Sequence, residues 1–140
     1  MQAKVTWFGK RKFTAVAESG RTVVLDAKPE AGGEGDGVRP MELLLMGLGG
    51  CTGIDMAMIL ERMRIPLERL EMRVDGERAA DYPQKYTGFT ITYEIDAPGA
   101  SPDKVLRAIA LSQDKYCSVA HSLTGSVQAA LILNGERVNP

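Results

Sequence analysis

From Met41 to about Met63 the chain offers no polar face. Leu43, Leu44, Leu45, Met46, Leu48, Ile54, Met56, Met58, Ile59 and Leu60 fall on every side of a helical wheel, and a helix without a polar face must be buried all round. Pro40 marks the start, at the first helical position, with Glu42 near the positive end of the helix dipole. Met63-Arg64-Ile65-Pro66 ends the element. A chain of 140 residues can hardly surround so long a helix by itself. The pattern therefore predicts an obligate homodimer with helix 41–62 against its symmetry mate. Gly47, Gly49, Gly50 and Gly53 weaken such a helix by about 1 kcal/mol each relative to alanine. Two uses would justify them: close approach of another backbone, or a break in the helix just before Cys51.

Around this helix the sequence reads as strands. Ala3-Lys4-Val5-Thr6-Trp7 and Lys12-Phe13-Thr14-Ala15-Val16 alternate, and Arg21-Thr22-Val23-Val24-Leu25 is β-branched. Glu18-Ser19-Gly20 signals a hairpin between the second and third. The segment 29–37 is too rich in glycine for regular structure. Leu67 to Arg78 and Phe89 to Ile95 alternate as two longer strands, with Tyr82-Pro83 in the turn region between them. Ser101-Pro102-Asp103 caps a second helix with Val105, Leu106, Ile109 and Ala110 on one face. Tyr116 to Leu123 reads as a third, short helix, and Val127 to Leu133 as a closing strand. With no internal repeat or second domain in view, residues 1–140 read as one α+β domain, antiparallel sheet wrapped on a long buried helix.

Bulk properties exclude several classes. Seventeen basic and 18 acidic residues leave a net charge of -1, without the basic excess of a nucleic-acid binder. The N-terminus has no apolar secretory core, and no uninterrupted run of about 18 apolar residues predicts a membrane span. Two cysteines without a dense framework fit the reducing cytoplasm, where a Cys pair is more often reactive or buried than a structural staple.

Two readings of Cys51 stand side by side. It is a small buried core residue, or the glycine break sets it near a new helix N-terminus, whose N–H groups favour a thiolate nucleophile. Cys117 lies at a junction between predicted helices and far away in sequence, so only the fold can bring the two within the roughly 7 Å between Cα atoms that a disulfide needs. His121, the one histidine, is a surface residue, a base for a cysteine nucleophile, or half of a Cys-x3-His metal pair whose further ligands are not evident, Cys51 being one candidate and Asp55 a weak other. Asp55, one turn after Cys51, would raise a nearby thiol pKa if charged. Lys10, Arg11, Lys12 and Arg39 are solvated turn charges or supports for a thiolate and a departing oxygen.

Pro40-Met41-Glu42-Leu43-Leu44-Leu45 and Leu48-Gly49-Gly50-Cys51-Thr52-Gly53-Ile54-Asp55 resemble the central-helix motif of the osmotically inducible/organic hydroperoxide resistance (OsmC/Ohr) family. Tyr116-Cys117-Ser118-Val119 resembles its second-cysteine motif, and Gly76-Glu77-Arg78-Ala79 with Tyr82-Pro83 is similar to its YhfA-like branch. The resemblance covers essentially the whole chain. It implies an intertwined homodimer in which two sheets enclose two long central helices. It also implies a peroxidase in which Cys51 attacks a hydroperoxide, Cys117 resolves the sulfenic acid as a disulfide, and a dithiol reductant restores both. By position after the first strand Arg11 matches the family's supporting arginine. Glu42 matches its glutamate with a shift of one residue, which turns a helical side chain by about 100°.

The expected function is thus a cytoplasmic thiol peroxidase acting on organic hydroperoxides and, less well, hydrogen peroxide. Its catalytic residues would be Cys51, Cys117, Arg11 and Glu42, with no cofactor, no metal, and neither nucleic acid nor membrane as partner. The rival readings are a non-catalytic redox sensor or binder of an apolar ligand, and a structural dimer with inert cysteines. A hot-dog acyl-thioester enzyme fits less well, having no second cysteine motif.

Overall fold

The computed structural model describes residues 1–139. The chain forms two compact units, Met1–Leu44 and the remainder from Leu45 onward.

In the first unit, β1 (Ala3–Trp7), β2 (Phe13–Ala17) and β3 (Thr22–Leu25) form an antiparallel meander in that order. Its turns need left-handed backbone, which Gly9, Lys10 and Gly20 supply. The register sets Trp7 beside Phe13 beside Leu25, Val5 beside Ala15 beside Val23, and Ala3 beside Ala17. Side chains alternate across a strand, so every one of these shares one sheet face. The glycine-rich segment after β3 carries only a short 3-10 turn, Pro29–Ala31. It is gathered around Asp26, whose carboxylate accepts the backbone N–H groups of Ala27, Glu34 and Asp36 at 2.8, 3.0 and 3.2 Å.

Helix α1 runs unbroken from Pro40 to Arg62. At its start Glu42 Oε1 accepts the backbone N–H of Arg39 at 2.9 Å, the reciprocal half of a capping box. At its end Arg64 takes φ 60. The N–H of Ile65 reaches the carbonyl of Leu60, and that of Arg64 the carbonyl of Glu61. This is a Schellman stop with arginine where glycine usually sits. Leu48, Thr52, Met56, Ile59 and Leu60 are buried, whereas Leu44, Met46, Ile54 and Met58 on the other side are exposed. A single chain covers one face of the helix. By length and composition alone α1 is also apolar enough to cross a membrane.

The second unit holds β4 (Arg69–Arg78), β5 (Tyr86–Asp96), β6 (Ser126–Leu133) and β7 (Glu136–Val138), in the sheet order β4-β5-β6-β7. The central strand, β5, buries Phe89, Ile91, Tyr93 and Ile95 on one face. Its other face continues the charges of β4, where Arg69 bridges Glu71 and Glu94 at 3.0 and 2.9 Å. The α+β class and the strand boundaries match the sequence expectation closely. One pairing is not antiparallel: β6 runs parallel to β5. A parallel pair requires a crossover, and α2 (Pro102–Leu111), a π-helical turn (Ser112–Tyr116) and α3 (Ser118–Ser122) supply it.

Candidate active site

Two of the four glycines of α1 serve a close approach, but of side chains rather than of the backbone that the sequence predicts. A Cβ on Gly53 would stand 2.6 Å from Met72 Cε, and one on Gly49 would stand 3.1 Å from Val74 Cγ2. They let β4 side chains close on the helix. The predicted break before Cys51 is absent. Cys51 lies in the interior of a continuous helix, where the backbone N–H groups are already bonded within the helix, so no helix end assists its thiol. The helix start near the thiols belongs instead to Cys117. That residue caps α3 in extended conformation, and its Sγ accepts the N–H of Ala120 at 3.4 Å.

The fold brings Cys51 and Cys117 together. Their sulfurs and a carboxylate oxygen of Asp55 all lie within 4.8 Å of one another. Cys51 is half-buried and Cys117 wholly buried, both as free thiols. Asp55 follows Cys51 by one helical turn, which places both side chains on the same face. The π-helical turn completes the arrangement. Its widened loop carries Ser112 beneath Cys117: the Cys117 N–H donates to the Ser112 carbonyl at 2.7 Å, and Ser112 Oγ donates to Asp55 Oδ2 at 2.9 Å. From β5, buried Tyr93 accepts Gln113 Nε2 at 3.2 Å. Burial raises the pKa of its hydroxyl.

Burial likewise pushes the Cys117 thiol up, to about 11. The Ala120 N–H opposes that shift, while Cys51 and the charge of Asp55 reinforce it. Cys117 is therefore a protonated thiol near neutral pH.

Arg11 and Glu42 belong to the first unit. Arg11 sits in the β1–β2 turn, exposed, with its guanidinium against Gly32. It also lines a shallow apolar pocket of ≈ 310 Å³ with Val5, Phe13, Leu25 and Pro40. Lys12 is bound to Asp36 at 2.8 Å. Glu42 caps α1. His121 is exposed on α3 and is not part of the thiol–carboxylate cluster. Sequence reasoning named Asp55 as a perturbing charge and as a weak candidate metal ligand, and missed Ser112, Tyr93 and Gln113. Ser112 reaches the site through a π turn, which leaves no mark on apolar periodicity. Tyr93 is an aromatic at an inward position of a clean alternation, and its buried hydroxyl needs a partner, so it was the one member with a readable signal.

The family model described as OsmC-like protein matches residues 33–131. The Escherichia coli K12 protein YhfA is 34% identical over 128 residues, which are 91% of this chain and 92% of that one. A hypothetical protein from Aquifex aeolicus VF5 has a TM-score of 0.81 at 24% identity, covering 94% of both chains. An organic hydroperoxide resistance protein OsmC from Legionella pneumophila has a TM-score of 0.66 at 20% identity, again covering 94% of each chain. The chain belongs to the OsmC-like family, and its fold is the OsmC-like fold.

Proposed function

We propose that this protein is a thiol peroxidase for organic hydroperoxides, with hydrogen peroxide a poorer substrate. The observation that carries the reading is the convergence of the Cys51 and Cys117 sulfurs. In the proposed cycle the Cys51 thiolate attacks the terminal oxygen of ROOH, the O–O bond breaks, and the alkoxide takes a proton to leave as ROH. Cys51 is left as a sulfenic acid. The Cys117 sulfur then attacks Cys51 Sγ. The S–O bond breaks, the departing hydroxide takes the Cys117 proton as water, and a disulfide remains. A dithiol reductant restores both thiols by exchange.

The unequal burial of the two thiols, Cys51 half-buried and Cys117 wholly buried, supports this division of labour. Resolution needs proximity rather than ionisation, which suits the buried, protonated Cys117. Arg11, beside an apolar pocket, is assigned to polarising the peroxide while the pocket takes its organic part. Glu42 is assigned to supporting the thiolate alongside that arginine. We assign the protein to the cytoplasm and treat its two units as parts of one OsmC-like domain in a homodimer. The exposed sides of α1 and of the first sheet support that assembly.

The test is cumene hydroperoxide added to reduced protein, with mass followed. The parent should lose two hydrogens and form a Cys51–Cys117 link. Cys51→Ser should consume no peroxide. Cys117→Ser should consume one equivalent, stop at a dimedone-trappable sulfenic acid, and over-oxidise under excess. Unchanged consumption in both variants would end the peroxidase reading. The second reading is a redox sensor or a binder of an apolar ligand without turnover. Asp55 favours it, because a carboxylate beside two thiols opposes thiolate formation. A disulfide that forms once and resists every dithiol reductant would favour it too.

A further inference from the structure

We propose that Cys51, Cys117 and Asp55 form a binding site for a divalent zinc-like metal ion, a use of this cluster separate from peroxide reduction. Three donors of suitable type converge here: two sulfurs and a carboxylate oxygen, mutually within 4.8 Å. In a tetrahedral zinc site, with Zn–S near 2.3 Å and Zn–O near 2.0 Å, neighbouring donors stand roughly 3.5–3.8 Å apart. The side chains need to close by no more than about 1.3 Å to reach that spacing.

The surroundings suit a ligand set. Ser112 Oγ holds one carboxylate oxygen of Asp55, and the Ala120 N–H holds Cys117 Sγ. Outer hydrogen bonds of this kind orient donors and are part of what defines a metal site. Charge points the same way. Among the described residues no Lys, Arg or His forms an ion pair with Asp55, so a part-buried carboxylate faces two sulfurs without a cation of its own. Two thiolates with one carboxylate favour zinc over copper(I), which is satisfied by sulfur alone, and over magnesium or calcium, which take oxygen.

Binding follows Zn²⁺ + 2 RSH + RCOO⁻ → [Zn(SR)₂(OOCR)]⁻ + 2 H⁺, so the two thiol protons go to solvent. Three protein donors leave one position for water or an external thiol. A disulfide would consume both sulfur donors, which makes the metal-bound and oxidised states exclusive of each other.

The experiment is a titration of the full-length reduced protein with Co²⁺ in metal-free buffer, followed by displacement with Zn²⁺. The expected result is one Co²⁺ per chain. A thiolate-to-cobalt charge-transfer band and the visible absorption of a tetrahedral ion should appear, and zinc should abolish both. Cys51→Ser and Cys117→Ser should lose the charge-transfer intensity. Asp55→Asn should weaken binding by roughly tenfold or more, and His121→Ala should change nothing. Diamide-oxidised protein should take up no metal. Circular dichroism checks each variant; if Cys117→Ser unfolds, Cys51→Ser and Asp55→Asn decide. No charge-transfer band in the parent, parent-like binding by Asp55→Asn, or loss of binding in His121→Ala would each overturn the proposal. None of these readouts involves peroxide, so failure here and failure of the peroxidase reading remain distinct.

Discussion

The two sheets of this protein are built to opposite rules. In residues 1–44 the one buried residue is a carboxylate, Asp26, while Val5 and Trp7 on the apolar sheet face are 56% and 63% exposed. In the second unit Ile91, Tyr93, Ile95, Leu131, Leu48, Met56 and Leu60 are 0–1% exposed. Burial of apolar surface is the dominant favourable term in folding. By that measure the second unit has a core of its own, whereas the first is held by backbone pairing and by the three N–H groups gathered on Asp26. An apolar face left open on a three-stranded sheet marks a surface awaiting a partner. The proposed second copy is that partner.

The contrast can be broken most sharply in the core. Leu60→Ala should lose about 2–5 kcal/mol, the usual effect of emptying a buried leucine site. Val5→Ala should change a dilute single chain by under about 0.5 kcal/mol. Urea denaturation at low protein concentration compares them, and equal losses would mean that the first sheet has a core of its own.

A second prediction sharpens the contrast where α1 is open. Ile54, 66% exposed in one chain, becomes part of the interface in the proposed dimer. Ile54→Lys should weaken self-association by about tenfold or more, roughly 1.4 kcal/mol, with circular dichroism unchanged. Sedimentation reads it; a parent that is monomeric at micromolar concentration would remove the dimer altogether.

The smallest effect expected is on pH dependence. The folded pKa of Cys117 is raised to about 11, above the roughly 8.5 of an unfolded cysteine. Its contribution to stability is fully present below the unfolded value and is lost as pH rises through the folded one. Stability of the reduced parent should decline between about pH 8.5 and 11. Cys117→Ala should flatten that limb relative to its own neutral-pH value. Asp26 gives the mirror case. Burial alone would raise its pKa, but the N–H groups of Asp36, Glu34 and Ala27 outweigh it and the net shift is downward. Its contribution is present above about pH 4 and lost as pH falls through the folded value. Asp26→Asn should therefore flatten the acid limb.

These contrasts also sort what the sequence disclosed. Helix α1 was legible almost to the residue, because Pro40 and the Arg64-Ile65-Pro66 stop bound an apolar run that permits little else. Strand β7 escaped notice although Asn134-Gly135, both at positive φ, is a strong hairpin signal. The parallel pairing of β6 with β5 could not be read, since alternation along a strand carries no information about a neighbour's direction. At the site, the Cys51–Asp55 spacing was visible. The helix break was misjudged because glycine propensity is a local quantity, and here the close approach of Met72 and Val74 decided the use of those residues.

The seat of Cys117 in the crossover between two parallel strands has a topological consequence. A bond from Cys51 to Cys117 would close the intervening chain, β4 and β5 included, into a covalent ring. Loop closure of that size removes about 4 kcal/mol of conformational freedom from the unfolded chain. Oxidation would then tether the central helix to the crossover that carries β6, and the ring would persist even in a denatured molecule. Oxidised and reduced protein should thus separate by hydrodynamic radius in strong denaturant while having the same size when folded.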